Sequence, residues 1–159
     1  MSTLQKDVEV LRGIPLFSRI EPAKLKLLAF TSEHLEFRAG ETLCRQGDPG
    51  DAAFIVLEGE ADILVDAASG PVKVASIGRN DIVGEIAILC DVPRTATVRA
   101  TSRLTALRVS KDGFFNLVTQ FPQIAVEVMG ELASRLHMTT QRLTEASARI
   151  RLAEGKAQG

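Results

Sequence analysis

VGEIAILCDVPRTATVRAT, residues 83–101, is the stretch from which the rest of the chain is read. It opens on Gly84-Glu85 and a short apolar run, residues 86–89, followed by a polar bend with a proline at residues 90–93. Arg94, Ala96, Val98 and Ala100 then share one parity, and Thr95, Thr97 and Arg99 the other. Strand side chains alternate faces, so a strand that already includes Arg94 turns its guanidinium toward the side of Ala96 and Val98, toward a core. A buried cation is costly unless an anion meets it. Two anions are available. Glu85 would close an internal ion pair with no ligand. A bound phosphate is the other: a short helical turn beginning at Gly84 would aim free backbone N–H groups outward. Arginine adds a planar fork that suits phosphate oxygens. Glu85 is then left to accept hydrogen bonds from sugar hydroxyls. The chemistry of these residues alone does not choose between the two.

The string G-E-I-A-I-L…P-R-T-A-T-V closely resembles the phosphate-binding cassette of cyclic nucleotide-binding domains, the family of the catabolite activator protein, kinase regulatory subunits and nucleotide-gated channels. The match consists of Gly84-Glu85, Ala87 two residues after the glutamate, and Pro-Arg-Thr-Ala-Thr-Val at the expected distance. The resemblance implies a receptor for cAMP, or alternatively cGMP. Glu85 takes the place of the residue that bonds the ribose 2′-hydroxyl, and Arg94 that of the residue pairing with the cyclic phosphate. Backbone groups around Gly84, Ile86 and Ala87 line the same pocket. The position of Thr95 takes part in choosing the base, and members with Thr or Ser there include binders of both nucleotides. The purine is expected against apolar residues such as Val74 and Val83.

Composition bounds the alternatives. A chain of 159 residues with 45% apolar residues is one domain, or one domain with an appendage, and has enough apolar side chains for a core. A net charge of −1 gives no global field favouring nucleic acid or an anionic membrane. Seven Phe and no Trp or Tyr supply few platforms for stacking bases. Cys44 and Cys90 have neither metal spacing nor a disulfide pattern and read as reduced thiols of a cytoplasmic protein. His34 and His137 are far apart and lack partners at ligand spacing, so neither a metal nor a cofactor is expected. No apolar run approaches the ~20 residues of a membrane span, and the N-terminus has no apolar core of a secretory signal.

The expected fold class is α+β: an antiparallel β-roll, jelly-roll-like, flanked by N-terminal helices and a long C-terminal helix. Leu4, Val8 and Leu11 are spaced for one helical face, which Gly13 and Pro15 end. Ile14, Leu16, Phe17 and Ile20 form an apolar knot, and a second helix is predicted from Pro22 to about Ser32, with Leu25, Leu28 and Ala29 as its stripe. From residue 33 to 109 short apolar runs alternate with glycine-marked turns, the pattern of a sandwich or small barrel. Residues 54–57 are apolar on both faces and belong in the centre, whereas Val72 and Val74 around Lys73 suit a half-exposed strand. The spacing of Gly40, Gly47, Gly50 and Gly59 also resembles the family's β-roll, a structural use at tight corners.

Helix returns after Val109, with Ser110 as N-cap. A long helix is predicted from Pro122 to about Ala153, roughly 45 Å at 1.5 Å per residue, with residues 154–159 as a frayed tail. Met129, Leu136, Leu143 and Ile150 recur every seven residues, the a-position repeat of a coiled coil, while Ala133, Thr140 and Ser147 make a weak d seam. The first half of this helix is expected to pack on the body and the remainder to form a symmetric homodimer. Residues 135–140 loosely resemble the family's base-contacting helix, which makes Arg135, Leu136 and Thr139 candidate base contacts or a lid. Movement of that helix on binding is the expected signal, passed to a downstream protein whose identity the sequence does not give.

No helix-turn-helix follows residue 153, no spans are present and no Arg-rich pseudosubstrate precedes the body, so neither a DNA reader nor a channel nor a kinase inhibitor is expected from these residues. The chain is expected to be a free-standing receptor. The alternatives are an excised regulatory domain of a larger protein and a ligand-free β-roll acting only through its dimer helix. Catalytic residues are not expected, because neither clustered His and Asp nor a nucleophile–base spacing occurs.

Overall fold

The structure, a computed structural model, describes residues 3–158. Its N-terminal part is helical because its apolar residues recur every three or four positions. Helix α1 (Thr3–Arg12) buries Val10 and Leu11, with Leu4 and Val8 partly covered beside them. A short 3-10 turn at Pro15–Phe17 carries the knot, and Ile14, Leu16, Phe17 and Ile20 are all buried. Helix α2 (Pro22–Phe30) buries Leu25, Leu28 and Ala29. It ends two residues before the predicted Ser32, for a local reason. The hydroxyls of Thr31 and Ser32 both donate to the Leu28 carbonyl, at 3.0 and 2.7 Å, and so compete with helical backbone bonding.

Eight strands follow: β1 (Glu33–Phe37), β2 (Thr42–Cys44), β3 (Ala52–Glu58), β4 (Ala61–Ala67), β5 (Gly70–Ile77), β6 (Ile82–Val83), β7 (Thr97–Ala100) and β8 (Leu104–Ser110). They form two antiparallel four-stranded sheets, ordered β1-β8-β3-β6 and β2-β7-β4-β5, as an open β-roll. Helix α3 (Glu85–Cys90) interrupts the strands between β6 and β7. Helix α4 (Lys111–Gln120) starts at the predicted cap, where Ser110 Oγ accepts from Gly113 N at 3.0 Å. Helix α5 (Gln123–Gln158) closes the chain. It runs past the predicted end at Ala153, since Gly155 is the single poor helix former there. No described helix is long and apolar enough to cross a membrane.

Two cores share the first sheet. Phe54 and Val56 of β3, with Leu104 and Ala106 of β8, face Val98 and Ala100 inside the roll. The alternate residues Ala53, Ile55, Leu107 and Val109 face the helices, where Leu11, Leu25, Phe114, Ile124 and Val128 meet them. That is why β3 is apolar on both faces. The second sheet has no such cover beyond its edge. Strand β5 lies there with both its faces exposed, Val72 and Val74 included, so the half-buried alternation expected at Lys73 is absent.

Buried charge is confined, among the described residues, to Asp7 and Arg94. Asp7 is met by His34 Nε2 at 3.0 Å, which ties α1 to β1.

Candidate functional site

Arg94 does not lie in a strand. Strand β7 begins at Thr97, and the backbone of Arg94 is held by the loop after β2 instead. Its N–H donates to the Asp48 carbonyl at 2.8 Å, and its own carbonyl accepts from Gly47 N at 2.9 Å. The inward direction predicted from parity nonetheless holds, since Arg94 is 6% exposed. Its guanidinium lies over the Phe54 ring, 5.6 Å from the centroid.

The carboxylate beside it is not that of Glu85, the internal partner the sequence offered. Among the described residues Glu85 makes no ion pair with Arg94; Asp51, just before β3, does, with Oδ1 3.7 Å from Nη2. This correction has a topological reason. The segment before β3 runs beside the Arg94 backbone, and Arg108 of β8 holds the same carboxylate at 3.2 Å. The pair is a poor one. At 3.7 Å no hydrogen bond forms, Asp51 is 73% exposed, and Arg94 Nη1 is buried with no partner. An unmet buried polar group costs about 1–3 kcal/mol, more when charged.

Gly84 sets where that nitrogen points. It caps α3 at φ 88°, a left-handed value that favours glycine. A Cβ there would come within 2.3 Å of Arg94 Nη1 and 3.0 Å of the Ala52 carbonyl. The guanidinium therefore lies directly against the start of α3. The N–H groups of Glu85, Ile86 and Ala87 precede the first helical bond, which runs from Ile88 N to Gly84 O at 3.4 Å. A cation and a helix N-terminus converge on one place, an arrangement that an anion would relieve. Gly50 lets the loop approach the other side, since a Cβ there would come within 2.1 Å of the Ala87 Cβ.

These groups border a cavity of about 190 Å³. Val83, Gly84, Glu85, Ile86, Ala87, Arg94 and Thr95, seven residues singled out from the sequence, line it together. Val74 does not; it is exposed on β5. Neither do Arg135, Leu136 and Thr139, which lie on α5, with Arg135 Nε 3.9 Å from Glu131 one turn back. The remaining wall comes from Cys44, Ile63, Ile82, Ala96 and Val98. Burial pushes the Cys44 thiol above its ordinary pKa, and the nearby Arg94 charge pulls against that rise. Asp51, Phe54, Cys44 and Ile63 were missed by sequence reading. Cys44, Phe54 and Ile63 reach the site through pairing between distant strands and Asp51 through packing of the loop before β3, neither of which leaves a local pattern.

Larger hollows lie elsewhere. One of 430 Å³ runs between α1 and α2, and one of 530 Å³ borders Asp7 and His34. Neither holds a buried polar atom without a partner. The other such atom, Glu127 Oε2 on α5, borders neither. Of these three cavities among the described residues, the smaller one at Arg94 is the one bordered by a buried polar atom without a partner.

The family model described as "Cyclic nucleotide-binding domain" matches residues 34–121, more than half of the chain. The chain belongs to the cyclic nucleotide-binding domain family. The match begins in β1 and ends just after α4, so it takes in the whole cassette. This cyclic nucleotide-binding domain is 37% identical over 108 residues to a cAMP-dependent protein kinase regulatory subunit of Emericella nidulans, covering 68% of this chain and 26% of that protein. It is 27% identical over 138 residues to a CRP-like cAMP-activated global transcriptional regulator of Mycobacterium tuberculosis, covering 86% and 62%. The chain spans about a quarter of the length of the kinase subunits it matches. Among solved structures, the N-terminal domain of a transcriptional regulator from Streptomyces coelicolor A3(2) superposes with a TM-score of 0.76 at 28% identity, covering 83% of this chain and 95% of that one.

Proposed function

We propose that this domain is a receptor for a cyclic nucleotide, cAMP in the first place, held in the cavity at Arg94. One observation carries the reading: a buried guanidinium nitrogen without a partner, beside a cavity, at the start of a helix. A singly charged cyclic phosphate supplies the missing acceptor. The ribose falls to Glu85, which borders the cavity and has no bond or ion pair of its own among the described residues. The base then rests on the apolar wall of Val83, Ile63 and Val98. The relatives named for cAMP favour the adenine nucleotide over cGMP. The reading is non-catalytic, and recovery of AMP after incubation with cAMP would count against it.

Calorimetric titration with cAMP and cGMP tests the site. Arg94→Leu removes the phosphate partner, and truncating one member of a buried charged pair costs about 2–5 kcal/mol. The expected result is an affinity lowered by about a hundredfold or more with an unchanged circular dichroism spectrum. Equal binding by the variant would sink the assignment.

We further propose that the signal is a shift of α5, whose distal part forms a homodimer and whose proximal part follows the cassette. Binding then changes the population of helix positions rather than the chemistry of the ligand. Amide exchange in residues 111–150 is expected to slow with saturating cAMP. Exchange that ignores the nucleotide excludes this mode of signalling.

A further inference from the structure

Cys44 stands in the cavity wall as its one reactive side chain. In the second sheet Cys44 and Ile63 are both registered against Val98, so the three form a row across β2, β7 and β4, and all three line the cavity. The sulfur lies 4.0 Å from the Ala96 carbonyl oxygen, a weak hold for a thiol. Arg94 lines the same cavity with a buried nitrogen that has no partner. Cys90, the other thiol, is exposed at the end of α3 and outside this lining.

We propose that Cys44 is a modification site for small anionic thiol-directed compounds, and that its modification and nucleotide binding exclude one another. The second half rests on the reading of the cavity as a nucleotide site. Space decides the exclusion. Cys44 and Arg94 line one cavity of about 190 Å³, so an adduct of several heavy atoms on the sulfur takes up room a nucleotide needs. Charge decides the selectivity, since the unmet guanidinium draws an anion toward the sulfur. The same cation opposes the effect of burial on the thiol, and a phosphate seated on Arg94 cancels that help. Nucleotide therefore protects Cys44 both by bulk and by lowering its thiolate fraction. With a methanethiosulfonate the step balances without an oxidant. The thiolate attacks the sulfenyl sulfur, a new S–S bond forms, the S–SO2 bond breaks, methanesulfinate leaves, and the thiol proton passes to solvent.

The test uses the full chain carrying Cys90→Ser, so that Cys44 is the single thiol. Labelling by 2-sulfonatoethyl methanethiosulfonate and by its trimethylammonium counterpart is followed by intact mass, each rate normalised to that with free 2-mercaptoethanol. The anionic reagent is expected to react about tenfold faster than the cationic one, and saturating cAMP to slow it about tenfold or more. The sulfonatoethyl adduct is expected to lower cAMP affinity about tenfold or more, with recovery on reduction. Equal normalised rates overturn the anion selectivity. Labelling indifferent to cAMP, in protein that binds cAMP by calorimetry, overturns the exclusion and leaves the nucleotide reading standing. An adduct that binds cAMP normally does the same. Unmodified protein that binds no cyclic nucleotide overturns both readings together.

Discussion

At Gly84 a single hydrogen in place of a side chain decides whether the guanidinium of Arg94 can lie against α3. The residue has φ 88°, and a Cβ would meet Arg94 Nη1 at 2.3 Å. Gly84→Ala therefore carries two penalties. The left-handed backbone costs about 1–2 kcal/mol for a residue with a Cβ, and the guanidinium must move away from the helix start. The expected outcome is a lower melting temperature together with a nucleotide affinity reduced about tenfold or more. A variant that melts earlier yet binds as tightly as the parent would show that Arg94 need not be where it is. Legibility is uneven at this scale. The parity of Arg94 with Val98 and Ala100 signals an inward side chain, and it is inward although no strand begins until Thr97. Its neighbour Asp51 gives no such signal, because forty-three positions separate them along the chain and only the packing of the loop before β3 brings them to 3.7 Å.

Between elements, α3 and α4 are joined by one exposed ion pair. Asp91, left-handed at φ 51°, caps α3, and its carboxylate accepts from Lys111 Nζ, at the first turn of α4. The Lys111 backbone N–H also donates to the Asp51 carbonyl at 2.8 Å, so the start of α4 touches both the cassette and the residue beside Arg94. The Lys111 hydrogen bond, and then its charge, hold the Asp91 carboxyl below the usual carboxylate range. A lowered folded value means that the contribution is present above the ordinary carboxylate pKa and is lost as pH falls through the lowered one. The window thus lies below about pH 4. Carboxyl chemical shifts should place the Asp91 midpoint below those of unpaired aspartates. Lys111→Met should return it to the ordinary range, and an unmoved midpoint would show that the link is idle. The elements themselves are mostly legible from periodicity. Helix α2 and the two-faced β3 follow their apolar spacing, whereas β5 does not, because an edge position is a property of the sheet and not of Val72 or Val74.

Across the whole molecule the informative contrast is along α5. Ile124 and Val128 are buried, and Leu132 packs partly against the same core. The sevenfold series lies open, starting on the outer side of that anchored segment and continuing past it, with Met129, Leu136, Leu143 and Ile150 between 58% and 68% exposed. So ordered a stripe fits a second copy of this chain, and its small or polar d positions fit a dimer of modest strength. Leu143→Glu is expected to raise the dimer dissociation constant about tenfold or more in sedimentation equilibrium. Wild-type protein that stays monomeric at every concentration would remove the dimer from consideration. The division between an anchored and an open half is legible from the reach of the helix alone. What the sequence leaves unread is that α5 borders no part of the Arg94 cavity, since direction in space is fixed by the turn at Pro122 and by packing on the 3-10 segment.

Anchored at one end and open at the other, α5 is a mechanical arm. From Leu132 to Gln158 it spans roughly 39 Å at 1.5 Å per residue. A tilt of about 10° at its root would carry its tip roughly 7 Å over that length. Such leverage lets a sub-ångström adjustment at the buried root be read as displacement far from it, so spin or fluorescent labels near residue 150 are the natural gauge of what happens near residue 128.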